Sequence, residues 1–102
     1  MTVHYQVHTD VAVLTLDLPP VNSLGLAMRQ ALAAGLQRAQ DDPQVQAIVL
    51  TGAGKAFCAG HNLKDMAANP ELLWYQQLFA QCSRMMLSIH KLPVPVIARV
   101  HA

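Results

Sequence analysis

Apolar residues recur along this chain with a period of two in some stretches and of three to four in others, and the alternation predicts its elements. Val3 to His8 and Val11 to Leu16 are rich in β-branched and apolar residues, with the polar pair Thr9-Asp10 between them, so an opening β-hairpin is expected. In the second run Ala12, Leu14 and Leu16 fall on one face while Val11 and Val13 fall on the other, which predicts a strand covered on both sides. Pro19-Pro20 then breaks the strand, and Asn22 or Ser23 can accept a free N–H at the start of a helix running to about Asp41. Leu24, Met28, Leu32 and Leu36 supply its apolar stripe, four alanines raise its propensity, and Asp41-Asp42-Pro43 ends it.

Ala47-Ile48-Val49-Leu50 is a short apolar run before Gly52 and Gly54, the pattern of a buried strand. Asn69-Pro70 reads as a cap followed by proline at the first helical position, and Leu78, Cys82, Met85, Met86 and Ile89 then recur at helical spacing to about His90. Pro93 and Pro95 stop that helix, and Val96 to Val100 begins another buried strand. The order strand, strand, helix, strand, helix, strand places the chain in the α/β class, without a repeat or a long linker.

Composition narrows this further. The 102 residues suffice for one small domain and no more, yet 53% are hydrophobic and only 13% charged, the balance expected of a piece of something larger. A formal charge of +1 without clustered Lys or Arg excludes the basic stripe that nucleic-acid binding requires. Prolines and charges interrupt every apolar run before it reaches the roughly 20 residues that span a bilayer. Met1 to His8 has neither signal-peptide nor transit-peptide character, so a cytoplasmic location is expected. Cys58 and Cys82 lie in a Gly-rich loop and a helix, without disulfide-rich surroundings, and read as reduced thiols.

The stretch from Leu50 to Lys64 carries the most chemistry, because a buried strand feeds a loop with three glycines, Gly52, Gly54 and Gly60, and then a helical turn. Glycine permits positive φ and close approach of a ligand, so such a loop can aim backbone N–H groups at developing negative charge. It can equally be an ordinary strand-to-helix turn. A phosphate-binding P-loop is excluded, since Val49 stands where its first glycine belongs and Ala56 replaces its Mg-binding Ser or Thr.

Gly52-Ala53-Gly54-Lys55-Ala56-Phe57-Cys58-Ala59-Gly60-His61-Asn62-Leu63-Lys64 resembles the first signature of the crotonase (enoyl-CoA hydratase/isomerase) superfamily, G-x-G-x-A-F-[SC]-A-G-x-D-[LI]-K. Pro19-Pro20-Val21-Asn22-Ser23-Leu24 is similar to the family's P-x-x-N-A-L turn. Asp42-Pro43 before Ala47-Ile48-Val49-Leu50 and Leu92 to Ala98 resemble its following segments, in order, over essentially the whole chain. The resemblance implies that residues 1–102 form the N-terminal portion of a single domain with a ββα superhelical spiral fold, its C-terminal part lying outside this chain.

It further implies that the backbone N–H of His61 is one of two donors holding the thioester oxygen of a coenzyme A substrate. Ala59, Gly60, His61, Asn62, Leu63 and Lys64 would line the CoA path, with Lys64 near a phosphate or simply solvated. No metal and no redox cofactor are implied, and the resemblance implies a homotrimer or hexamer for the full-length protein. Two departures stand out: Asn62 replaces the usual Asp, while remaining a competent helix cap, and the Pro19 to Ser23 turn lacks the basic residue of many relatives.

The remaining candidates read as structure. His4 and His8 share a strand face but lie roughly 13 Å apart by strand geometry, too far to grip one metal, and belong to the surface. Cys58 has no evident base beside it and packs. Phe79, Met85, Met86 and Ile89 form core in preference to an acyl pocket. The His61 imidazole is not needed where the backbone serves.

The family's second Gly-rich segment, with the other oxyanion donor and the catalytic glutamates, is not in the chain. The expected function is therefore the acyl-CoA-binding part of an enoyl-CoA hydratase/isomerase-family enzyme, inactive alone. The alternative is a noncatalytic fragment or pseudoenzyme that binds CoA or packs against a partner.

Overall fold

The computed structural model describes residues 2–60, 63–68 and 71–101, with the side chains of 63–65 excepted. The elements are β1 (Val3–His8), β2 (Val11–Leu16), α1 (Leu26–Asp41), β3 (Ala47–Gly52), α2 (Leu63–Ala68), α3 (Leu72–Lys91) and β4 (Val96–Ala98). One sheet carries the strands in the order β1-β2-β3-β4. β1 and β2 are antiparallel, from Val3 opposite Leu16 to His8 opposite Val11. β3 then joins β2 in parallel and β4 joins β3 in parallel, with Leu14 beside Leu50 and Leu50 beside Ala98.

That register places Val3, Ala12, Leu14, Leu16 and Ile48 on one face, where they bury together with Met28, Leu32, Leu36 and Ala39 of α1 and Met85 of α3. α1 lies on β1 and β2, close enough that a side chain at Gly35 would stand 2.7 Å from Leu14 Cδ2. Asp41 ends α1 as expected, and the Asp42 carboxylate accepts the Gln44 N–H at 2.9 Å to turn the chain.

Four expectations need correction. Val11, Val13 and Thr15 on the second face of β2 are only half-buried, because no described element lies over them. Val96 to Val100 is an edge and not a buried strand: β4 ends at Ala98, and Ile97 and Val100 are 53% and 64% exposed. Asn22 and Ser23 do not cap α1, whose cap position is Gly25 without a side-chain bond, since the Asn22 side chain is engaged elsewhere. The cap position of α3 is Glu71, and the Asn69-Pro70 signal lies outside the described residues.

On α3 the stripe is real but narrower than its spacing suggests. Leu78 and Met85 are buried and Cys82 and Ile89 half-buried, while Met86 and Phe79 point outward, 58% and 50% exposed. His4 and His8 are exposed, with His4 Nε2 2.7 Å from an Asp17 carboxylate oxygen. No disulfide joins Cys58 and Cys82. Among the described residues no helix is long and apolar enough to cross a membrane, and no group of His, Cys, Asp or Glu gathers to hold a metal.

Candidate functional site

The Gly-rich loop begins where β3 ends. The Ala53 N–H continues the parallel ladder by donating to the Leu16 carbonyl at 2.7 Å, and Gly54, with φ of 82°, then reverses the chain. Residues 56–57 fold back over Gly52 so tightly that a Cβ there would meet the Phe57 carbonyl oxygen and lie 2.8 Å from Phe57 Cα. This close approach is what requires glycine at position 52. His101 Nε2 sits 2.9 Å from the Gly54 carbonyl oxygen, a tie from the far end of the chain to the tip of the loop.

Asn22 fills the interior of that turn. It is 1% exposed and adopts the left-handed conformation, φ 54°, which Asn tolerates better than most residues. Its Oδ1 accepts the Leu18 N–H at 2.7 Å, while its Nδ2 donates toward the carbonyl oxygens of Ala53 (3.2 Å), Ala56 (3.0 Å) and Phe57 (3.1 Å). An amide nitrogen has fewer hydrogens than these acceptors, so at least one bond is shared. Every polar atom of this buried side chain is thus satisfied, and the turn after β2 is joined to the loop after β3.

Residues 58–60 then run parallel to residues 21–24. The Ala59 N–H donates to the Val21 carbonyl at 2.9 Å, the Leu24 N–H donates to the Gly60 carbonyl at 2.7 Å, and Ser23 and Gly60 form an isolated parallel bridge. The Cys58 thiol donates to the Asn22 carbonyl at 3.1 Å and its sulfur accepts the Gly60 N–H at 3.4 Å, which gives Cys58 the packing role expected of it. Gly60 has φ of 97°, a left-handed conformation in which L side chains are strained.

Of the six residues expected to line a ligand path, Ala59 and Gly60 lie in this bridge, Ala59 with its side chain exposed. His61 and Asn62 lie outside the described residues, and Leu63 and Lys64 contribute the backbone of the first turn of α2. α2 is tied to α3 by the Tyr75 hydroxyl, which donates to the Met66 carbonyl at 2.7 Å. Tyr75 stands edge-on to Trp74 and stacks on Phe79, with ring centroids 5.3 and 6.3 Å away.

Sequence reasoning missed two groups that hold this region in place. Asn22 was expected as a helix cap, and its brace needs contacts 31 to 35 residues away that no local pattern encodes. Thr51 is 5% exposed and its hydroxyl donates to the Arg99 carbonyl at 3.2 Å, tying the last turn of β3 to the chain leaving β4. A polar residue inside an otherwise apolar strand was the available signal.

Comparison with known proteins agrees with this geometry. Residues 6–102 match the family model described as enoyl-CoA hydratase/isomerase. A probable enoyl-CoA hydratase of Rhodobacter capsulatus is 42% identical over 101 residues, covering 98% of this chain and 38% of that protein. The mitochondrial enoyl-CoA hydratase domain-containing protein 3 of Xenopus laevis is 36% identical over 80 residues, 78% of this chain and 27% of its own length. Among solved structures, an enoyl-CoA hydratase of Mycobacterium smegmatis superposes with a TM-score of 0.93 at 44% identity, over 100% of this chain and 40% of that one. An enoyl-CoA hydratase/isomerase from Xanthobacter autotrophicus gives 0.92 at 28% identity, again over 100% of this chain and 39% of the other. The chain thus spans about two fifths of these relatives at most, and its open α/β sheet is part of their crotonase fold. On the family match and the superposition together, the chain belongs to the enoyl-CoA hydratase/isomerase family.

Proposed function

We propose that this chain supplies the acyl-CoA-binding part of an enzyme of its family, and that the segment Ala59 to Lys64 cradles a coenzyme A thioester. The observation that carries the reading is the Asn22 brace, which ties the loop leading into that segment to the turn after β2 through three of the loop's carbonyl oxygens. A loop that stabilises charge by backbone dipoles has to be held rigid before the ligand arrives.

The hydrogen bonds within the loop support His61 as the oxyanion donor. The Ala59 N–H is engaged by Val21 and the Gly60 N–H faces Cys58 Sγ, so neither is offered to a ligand. The next amide along the chain is that of His61. Proton removal beside a thioester, or addition to its conjugated alkene, puts negative charge on the thioester oxygen, and one backbone donor to such a charge contributes on the order of 3 kcal/mol. The reading assigns this work to the backbone, and needs no metal or redox cofactor. A complete oxyanion hole, the acid and base groups, a trimeric or hexameric assembly and a cytoplasmic setting belong to the proposed whole protein.

Calorimetric titration of the 102-residue chain with crotonyl-CoA, alongside a hydration assay, tests this. Saturable binding without turnover is expected. Absence of binding overturns the CoA-cradle reading, and turnover by this chain overturns its assignment as an incomplete site. A second reading, a noncatalytic module that packs against a partner, is favoured by the exposure of Ile97 in β4 and of Val100 just after it. Binding of a partner without any affinity for CoA distinguishes it.

A further inference from the structure

Among the described residues Arg29 is the buried cation. It sits on the side of α1 that meets α3 and is only 8% exposed. Its Nε–H donates to Gln81 Oε1 at 3.1 Å and an Nη1–H donates to the Leu24 carbonyl at 2.7 Å. Both acceptors are neutral. Among the described residues the His4 imidazole meets the Asp17 carboxylate, and no carboxylate is paired with Arg29. Burying a guanidinium without a counter-charge is costly, and two neutral acceptors offset only part of that cost.

The same residue lines a cleft of about 390 Å³ between α1 and α3, together with Gln77, Gln81 and Arg84 and with the apolar side chains of Leu26, Trp74 and Leu78. That volume falls within the roughly 300–1,000 Å³ usual for small-molecule sites. A second hollow, reaching to Ser88, shares Arg29, Gln81 and Arg84 with the first. The cleft is therefore lined by two guanidinium groups, the amides of Gln77 and Gln81, an aromatic ring and two leucines.

We propose that this cleft binds a small amphipathic carboxylate, its head on Arg29 and Arg84 and its apolar body against Leu26, Trp74 and Leu78. The guanidinium fork matches the two oxygens of a carboxylate, and Arg29 has N–H groups beyond those given to Gln81 and Leu24. The apolar wall selects a carboxylate with a hydrocarbon body over a bare inorganic anion.

Trp74 is the only tryptophan in the chain and lines the cleft, so its fluorescence reports occupancy. The chain is titrated with sodium hexanoate, with hexanol and with inorganic phosphate at constant ionic strength. Hexanoate is expected to give a saturable change, at least tenfold tighter than either control. Arg84→Gln alters an exposed residue and is expected to keep the thermal unfolding midpoint while weakening hexanoate at least fivefold. Arg29→Lys keeps the charge but loses the fork and is expected to weaken it further. No saturable response to hexanoate overturns the proposal, as does equal binding of hexanol or phosphate, or unchanged affinity in the folded Arg84→Gln chain.

Discussion

The side-chain amide of Asn22 reaches the Ala56 carbonyl oxygen at 3.0 Å, across 34 residues of sequence. Removing that side chain as Asn22→Ala leaves the Leu18 N–H without its acceptor and the inward carbonyls of the loop without a donor. A loss of roughly 2–4 kcal/mol is expected, the range for breaking a buried polar network. Denaturant unfolding reads the loss directly, and under the proposed function crotonyl-CoA affinity falls with it. A change below about 0.5 kcal/mol, the scale of an ordinary surface substitution, contradicts the brace.

Gly52 and Gly60 are predicted to resist substitution for different reasons. Gly52→Ala drives a methyl into the backbone of Phe57, which cannot swing aside, and is expected to cost about 2–4 kcal/mol. At Gly60 a methyl meets nothing within 4 Å, so Gly60→Ala carries only the strain of its positive φ, about 1–2 kcal/mol. Comparing the two unfolding midpoints separates steric from conformational cost. Equal losses would contradict the difference in surroundings.

Tyr5 yields a stability prediction and a pH dependence. Its hydroxyl is buried and has no hydrogen-bond partner among the described residues, so Tyr5→Phe is expected to stabilise the chain by about 1 kcal/mol. Arg38 over the ring at 4.1 Å is retained by the substitution. Burial, and then the negative charge of Asp42, raise the Tyr5 pKa above 10.0, with Arg38 opposing them. The folded chain therefore keeps this proton to higher pH than the unfolded chain, and stability falls as pH rises from the unfolded value through the raised folded one. Urea unfolding from about pH 8 to about pH 11 checks the sign, the Tyr5→Phe chain losing less across that window.

Thr9 has a φ of 61° in the turn between β1 and β2, a conformation that is uncommon for a β-branched residue. Thr9→Gly is expected to raise stability by about 0.5–1 kcal/mol, because two-residue hairpin turns favour glycine where φ is positive. An unchanged or lower melting temperature would count against strain at this position.

The elements that sequence patterns located well are those whose partners are near or whose faces repeat. Val3 to His8 and Val11 to Leu16 form the expected hairpin, and Met28, Leu32 and Leu36 are buried at their expected spacing. The Gly-rich loop was legible because glycine marks either a close backbone approach, as at Gly52, or a positive φ, as at Gly54 and Gly60. Asn22 was legible as important but not in its role, since capping a helix and bracing a distant loop use the same amide. Arg29 gave no signal, because its burial follows from how α1 and α3 meet and not from anything in its neighbourhood in sequence. Met86 and Phe79 misled for a related reason: one wide apolar arc on α3 exceeds what the described sheet and α1 cover.

The strand order β1-β2-β3-β4 has a bearing on how the chain assembles as it is made. A ribosome releases the strands in the order in which they stand side by side, so each new one meets an edge that is already in place. The hairpin can form as soon as β2 has emerged, and β3 docks only after α1 has emerged to span the crossover. None of these four strands must wait for a later one to separate it from its neighbour, which suits assembly in chain order.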